Sequence, residues 1–100
     1  MTHERIHIFV KWVVKPEHLS KVLGILQDLI PLSRAEAGNI AYHAYQANDN
    51  AQVIMLYEEY ANQEALQAHK ASAHYQQLVA EQIVPLLETR EVSIVTPVKS

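Results

Sequence analysis

The chain has 100 residues, enough for one domain with a single hydrophobic core spanning residues 1–100, and its 49% hydrophobic and 19% charged content is that of an ordinary globular protein. The formal net charge is −3, and the eight Lys and Arg are scattered singly, so no basic stripe exists to bind nucleic acid. There is no cysteine, which removes disulfides, thiolate nucleophiles and Cys-ligated metal centres and leaves His, Tyr and carboxylates to carry any chemistry. No apolar run reaches the roughly 20 residues needed to cross a bilayer. The start, Met1-Thr2-His3-Glu4-Arg5, lacks the layout of a signal peptide, so the expected location is cytoplasmic, away from membranes.

Residues Ile6 to Val14 are rich in β-branched and aromatic types and predict a strand ending near Lys15-Pro16. From Glu17, the spacing of Leu19, Val22, Leu23, Leu26, Leu29 and Ile30 predicts an amphipathic helix, with Pro31 kinking or restarting it and Gly38 as its stop. Two strands, Asn39–Ala47 and Gln52–Tyr60, then form a hairpin through Asn48-Asp49-Asn50, residues that tolerate left-handed backbone. Asn62 caps a short helix through His69, Ser72 caps a second running to about Val84 before Pro85, and Glu91–Val98 supplies the last strand. The order β-α-β-β-α-β predicts an α+β, ferredoxin-like antiparallel sheet with helices on one face.

Alternation along the strands sets Ile6, Ile8, Val10 and Trp12 against Phe9 and Val13, and Ile54 and Leu56 against Val53, Met55 and Tyr57. Both faces carry apolar groups and helices cover only one, so a homodimer is expected to bury the other.

Six histidines stand out. His69 and His74 are five apart across a helix break, which is the wrong spacing for two ligands gripping a metal from one helix, and no metal site is expected. His3, His7 and His18 read as surface residues with no matching carboxylate. His69 falls in the last turn of its helix, where the dipole favours the protonated ring while burial favours the neutral one, a balance suited to a general base. The alternative is a histidine that merely caps its helix; for His74 it is a hydrogen bond to a nearby carboxylate. Glu58 and Glu59 are adjacent in a strand, so one must face inward and needs a partner. Tyr42, Tyr45, Tyr57, Tyr60 and Tyr75 could line a slot for a flat substrate or serve as core and rim.

The stretch Ser33-Arg34-Ala35-Glu36-Ala37-Gly38-Asn39, then Tyr57-Glu58-Glu59-Tyr60, Asn62-Gln63-Glu64-Ala65-Leu66 and AHKASAHY at 68–75 together resemble the antibiotic-biosynthesis-monooxygenase family across nearly the whole chain. The resemblance implies a dimeric α+β barrel with a pocket between sheet and helices, in which oxygenase members use molecular oxygen on quinol or polyphenolic substrates with no metal, flavin or other cofactor. It implies His69 as base, His74 and Glu58 as orienting groups, Asn39 as a hydrogen bond to a substrate oxygen, and His43, Tyr57, Tyr60 and Tyr75 around a small aromatic substrate. The haem-degrading branch is matched poorly, with His69 and Val79 where it places tryptophan and an axial histidine. The branch that isomerises a phosphorylated signalling sugar is matched at Gly38-Asn39, Tyr57-Glu58, His69-Lys70 and His74-Tyr75. It is departed from at Ile30 and His43, where that branch has a histidine and an aspartate. Many oxygenase members carry tryptophan at the position of Tyr60. Three functions follow: a cofactor-independent quinol monooxygenase, foremost; an isomerase of a phosphorylated hydroxyketone, anchored by Lys70, Lys11 or Arg34; or a non-catalytic binder of a small ligand.

Overall fold

Strand-forming runs bounded by proline and asparagine give four strands, and the computed structural model, which describes residues 5–99, pairs them into one antiparallel sheet in the order β2-β3-β1-β4. The strands are β1 (Ile6–Val14), β2 (Asn39–Gln46), β3 (Val53–Tyr60) and β4 (Leu87–Val95). Helices α1 (Leu19–Arg34) and α2 (Gln63–Ala71) and a π-helix (Tyr75–Ile83) complete the fold, with short 3-10 turns at Pro16–His18 and Val84–Leu86. This is the expected ferredoxin-like arrangement. The two central strands, β1 and β3, run in continuous register from Ile6↔Tyr60 to Val13↔Val53.

The predicted alternation holds. Ile8, Val10, Trp12 and Val14 from β1 and Ile54, Leu56, Glu58 and Tyr60 from β3 are buried towards the helices, against Val22, Ile25, Leu26 and Leu29 of α1, Leu66 of α2 and Val79 and Ile83 of the π-helix. On the opposite face Phe9, Tyr45 and Met55 stay 49%, 59% and 40% exposed. The helices do not reach across β4. Val92 and Ile94, which pair with Val10 and Ile8, are therefore 50% and 63% exposed although they lie on the helix side.

Several boundaries differ from the expectation. Helix α1 runs through Pro31 and ends at Arg34, within a turn of it, so the missing amide costs one bond near a terminus. Gly38 is not its stop: no residue among those described has a positive φ, so no left-handed cap closes this helix. Gly38 is small for another reason, since a Cβ there would lie 2.3 Å from the Ala65 Cβ of α2. The same observation removes the left-handed turn expected at Asn48-Asp49-Asn50; the hairpin is closed instead by the Asn50 side chain and carbonyl, which accept from Gln52 N at 3.0 Å and Val53 N at 3.1 Å. Strand β4 begins four residues before the predicted Glu91 and stops at Val95, because its partner β1 is spent at His7↔Val95.

The caps behave as their residue types require. Asn62 accepts from Ala65 N at 2.8 Å, and Ser72 Oγ accepts from Tyr75 N at 3.2 Å. The segment after Ser72 is wound as a π-helix, closed by Val84 N donating to Val79 O, a winding often found beside functional sites.

Replacing Gly38 by alanine should lower unfolding stability by about 1–3 kcal/mol, because the contact is with a packed helix rather than a flexible tip. Adding Ala65→Gly should restore part of the loss; denaturant melts of the two variants measure it, and a fully stable Gly38→Ala protein would contradict the close approach.

Candidate functional site

The inward-facing end of β3 meets the C-terminal turn of α2 and the start of the π-helix, and polar groups converge there. His69 is 2% exposed. Its carbonyl accepts from both Ser72 Oγ, at 2.6 Å, and Ser72 N, at 3.1 Å, which closes the end of α2. Its ring sits among those of Tyr42, Tyr60, Tyr75 and His74, with centroids 5.2–6.0 Å away.

Glu36 organises this cluster, and sequence reasoning missed it. It lies in the loop after α1, pinned by backbone bonds from Glu36 N to Ser33 O at 3.2 Å and from Asn39 N to Glu36 O at 3.1 Å. Its Oε2 receives His69 Nδ1 at 2.7 Å and His74 Nε2 at 2.5 Å. A carboxylate oxygen only accepts, so both imidazole nitrogens donate. When neutral, His69 then carries its proton on Nδ1 and keeps a lone pair on Nε2. That nitrogen lies 3.9 Å from Glu58 Oε1. A lone glutamate in a short loop reads as solvent-facing, and only the folded chain brings it to histidines 33 and 38 residues away.

Glu58 is the inward member of its pair, 8% exposed, and Tyr60 donates its hydroxyl to Glu58 Oε1 at 2.7 Å. Burial pushes the Glu58 carboxyl above the usual carboxylate range, outweighing the Tyr60 hydrogen bond and the nearby His69. Tyr60 and Tyr42 are in turn held far above the ordinary phenol range by burial and by the Glu58 charge, so both stay protonated.

Glu58, His69 and Tyr75 line a cavity of about 380 Å³ together with Ile8, Val10, Leu66 and Val92 as apolar walls, and with Lys70 and Arg90. Of the predicted site residues, His69, His74, Glu58, Tyr60 and Tyr75 are thus brought together. Asn39 pairs with Tyr60 in the ladder but donates its Nδ2 to Ala41 O at 3.2 Å and does not line the cavity. His43 and Tyr57 do not join the cluster. Each neighbours an inward residue in its strand, Tyr42 and Glu58, so alternation turns it to the open face. The proposed slot of five tyrosines is divided in the same way: Tyr42, Tyr60 and Tyr75 on the helix side, Tyr45 and Tyr57 on the other.

The open face has a concavity of its own, about 560 Å³, lined by His7, Phe9, Tyr45, Tyr57 and residues 95–97. Here His7, expected to lack a carboxylate partner, meets the Tyr57 hydroxyl at 2.8 Å and lies 3.8 Å from Glu59. Tyr57 donates to Glu59 at 2.9 Å, and Arg5 holds the other Glu59 oxygen at 3.0 Å. Desolvation works against the Glu59 carboxylate, yet the Tyr57 hydroxyl, Arg5 and His7 outweigh it and its pKa is lowered. His18 lies 4.0 Å from Glu17; His3 falls outside the described residues. Of the cations considered as anchors, Lys11 alternates onto the open face and Arg34 is engaged with Tyr42 O at 2.9 Å and His43 at 3.3 Å.

Glu36, His69 and His74 place three ligand-type atoms within 4.8 Å of one another, contrary to what the spacing of the histidines suggests. Donors sharing a zinc-sized ion stand about 3 Å or more apart, given bonds of about 2.0–2.2 Å. The carboxylate–imidazole separations of 2.5 and 2.7 Å are those of hydrogen bonds, and an ion would have to part them.

A cavity that holds a histidine and a carboxyl between an antiparallel sheet and the helices over it is the kind of place in which small-molecule sites are built. The sequence profile of the family described as antibiotic biosynthesis monooxygenase matches residues 5–81, and the chain belongs to that family. YcnE of Bacillus subtilis, named a candidate monooxygenase, is 33% identical over 67 residues, covering 67% of this chain and 70% of that protein. Rv0793 of Mycobacterium tuberculosis, named in the same way, is 29% identical over 70 residues, covering 70% of this chain and 68% of its own. The solved structure of Rv0793 superposes with a TM-score of 0.87 at 26% identity, over 97% of this chain and 98% of that one. No helix among the described residues is long and apolar enough to cross a membrane.

The raised Glu58 pKa carries a sign. A carboxyl whose folded value exceeds its unfolded value adds stability below about pH 4, and that contribution is lost as pH rises through the folded value. The melting temperature of Glu58→Gln minus that of the wild type should therefore grow as pH rises from about 4 and level off once pH has passed the raised folded value. A difference independent of pH would show that Glu58 is not the group responsible.

Proposed function

We propose that this protein is a cofactor-independent monooxygenase that oxidises a quinol or polyphenol with molecular oxygen. The observation that carries the reading is His69: Nδ1 is committed to Glu36 at 2.7 Å, which leaves the Nε2 lone pair for the cavity. Proton abstraction from a phenolic hydroxyl by Nε2 makes an electron-rich phenolate. Glu36 steadies the imidazolium so formed, and His74 shares the same carboxylate oxygen. The phenolate passes one electron to oxygen; recombination of the resulting pair forms a C–O bond, and loss of water leaves one oxygen atom in the product. A hydroquinone plus oxygen gives the hydroxyquinone plus water, so atoms and electrons balance with no other reductant. The apolar walls Ile8, Val10, Leu66 and Val92 suit a flat ring, and the protonated Tyr60 holds Glu58 in place. Membership of the family and the names of its relatives support the reading.

A second reading is favoured by the 3.9 Å between His69 Nε2 and Glu58 Oε1. Two proton carriers so close on one cavity suit enolisation of a hydroxyketone. Oxygen consumption belongs to the first reading; wash-in of solvent deuterium without oxygen uptake belongs to the second.

We also propose that the open face, with Phe9, Tyr45 and Met55 exposed, packs against a second copy. Sedimentation should give a dimer, and Met55→Glu should shift it towards monomer; an unchanged mass would remove this face from the interface.

Purified protein offered naphthohydroquinones and hydroxyanthrones should consume oxygen above the spontaneous rate. His69→Ala should lower that excess by about a hundred- to ten-thousand-fold, the usual contribution of a general base. Glu36→Gln should lower it less, with kcat falling more than KM rises, because the amide oxygen can still accept from the histidines but no longer carries the charge that steadies the imidazolium. Full activity in folded His69→Ala would overturn the assignment.

A further inference from the structure

We propose that the substrate of this cavity carries an anionic group, a carboxylate or a phosphate, that Arg90 and Lys70 hold at the rim. The inference rests on His69 as the deprotonating residue and adds the class of molecule presented to it.

The cavity is graded in polarity from floor to rim. Its buried end holds His69 and Glu58, its walls are aliphatic, and its two exposed polar members are Lys70 of α2 and Arg90 of β4. They come from different elements, and both are cations in a chain whose net charge is −3. Among the described residues neither takes part in an ion pair, whereas Arg5 is paired with Glu59 at 3.0 Å. Two cations at one rim, neither within ion-pair distance of a carboxylate although the Arg90 charge does reach Glu58 on the cavity floor, make a site for an anion that arrives with the ligand.

Arg90 is also aimed. It pairs with Trp12 across the ladder, which puts it on the helix side of the sheet, and its Nη2 donates to the Tyr75 hydroxyl at 3.0 Å. That bond uses one of five guanidinium N–H groups and draws the head group towards Tyr75 at the cavity, while the remaining donors leave a bidentate grip on a carboxylate or phosphate open. The floor does not repel such a ligand as strongly as an ordinary carboxylate would, because burial makes Glu58 easier to keep protonated. A cavity of about 380 Å³ leaves space for a ring system between the two ends. The anion at the rim would then set which hydroxyl meets His69, converting binding energy at a remote group into orientation at the reacting one.

The test uses three probes that lack a hydroquinone, so binding is read apart from turnover: 1-hydroxy-2-naphthoate, 1-naphthyl phosphate and 1-naphthol, each titrated into wild-type protein by calorimetry. At least one anionic probe should bind about tenfold more tightly than 1-naphthol, the order of one charge-assisted hydrogen-bonded contact. The double variant Arg90→Gln, Lys70→Gln should lose that advantage, while Lys21→Gln, which removes an exposed charge on α1, should keep it. An advantage confined to the carboxylate or to the phosphate identifies which anion the rim accepts. Equal affinity for the three probes, no binding of any, or an advantage that survives in the double variant overturns the proposal. Oxygen uptake is scored separately, so an oxygenase that shows no anion preference, and an anion site on a protein that consumes no oxygen, give different results.

Discussion

The arrangement of the site depends on one carboxylate oxygen. Glu36 Oε2 accepts from His69 and His74, and through them ties the loop after α1 to the end of α2 and the start of the π-helix. Without it, two imidazole N–H groups in a largely buried setting would lose their acceptor, at a cost of about 1–3 kcal/mol each, and His69 would be free to adopt the other tautomer. The carboxylate thus serves both stability and chemistry. It also explains why the two histidines stand close in space although they belong to different helices.

A second constraint is the two-residue period of the strands. It assigns Glu58 to the helix side and Glu59 to the open side, and each acquires a tyrosine two residues away in β3: Tyr60 for Glu58 and Tyr57 for Glu59. The sheet therefore carries one carboxyl–tyrosine–histidine group on each face. Their surroundings separate them. Glu58 is desolvated and its pKa is raised, while Glu59 has Arg5 and is lowered. Proton chemistry fits the first environment and simple ion pairing the second.

Much of the fold is legible in the amino-acid sequence. Asn62 and Ser72 act as caps because their side-chain oxygens reach free amides one turn ahead, a local property. The inward residues of β1 and the stripe of α1 follow from periodicity alone. The role of Gly38 is not legible there, since its constraint comes from Ala65 on another element and not from its own backbone. The extent of β4 is likewise set by where β1 runs out of partners.

The sequence by itself determined the order of elements and the alternation of each strand, which are functions of local propensity and of the two-fold or 3.6-fold period. The family, and with it the candidacy of His74 and Glu58 beside His69, came from the resemblance carried by the motifs at 33–39, 57–60, 62–66 and 68–75. Tertiary structure alone decided that Glu36 is the partner of both histidines and that Arg90, rather than Lys11 or Arg34, joins Lys70 at the rim. It also decided which face of the sheet the His69 cavity occupies, and alternation then leaves His43 and Tyr57 on the other. Contacts between residues more than 30 positions apart depend on how strands and helices dock, and no pattern within either segment records that geometry.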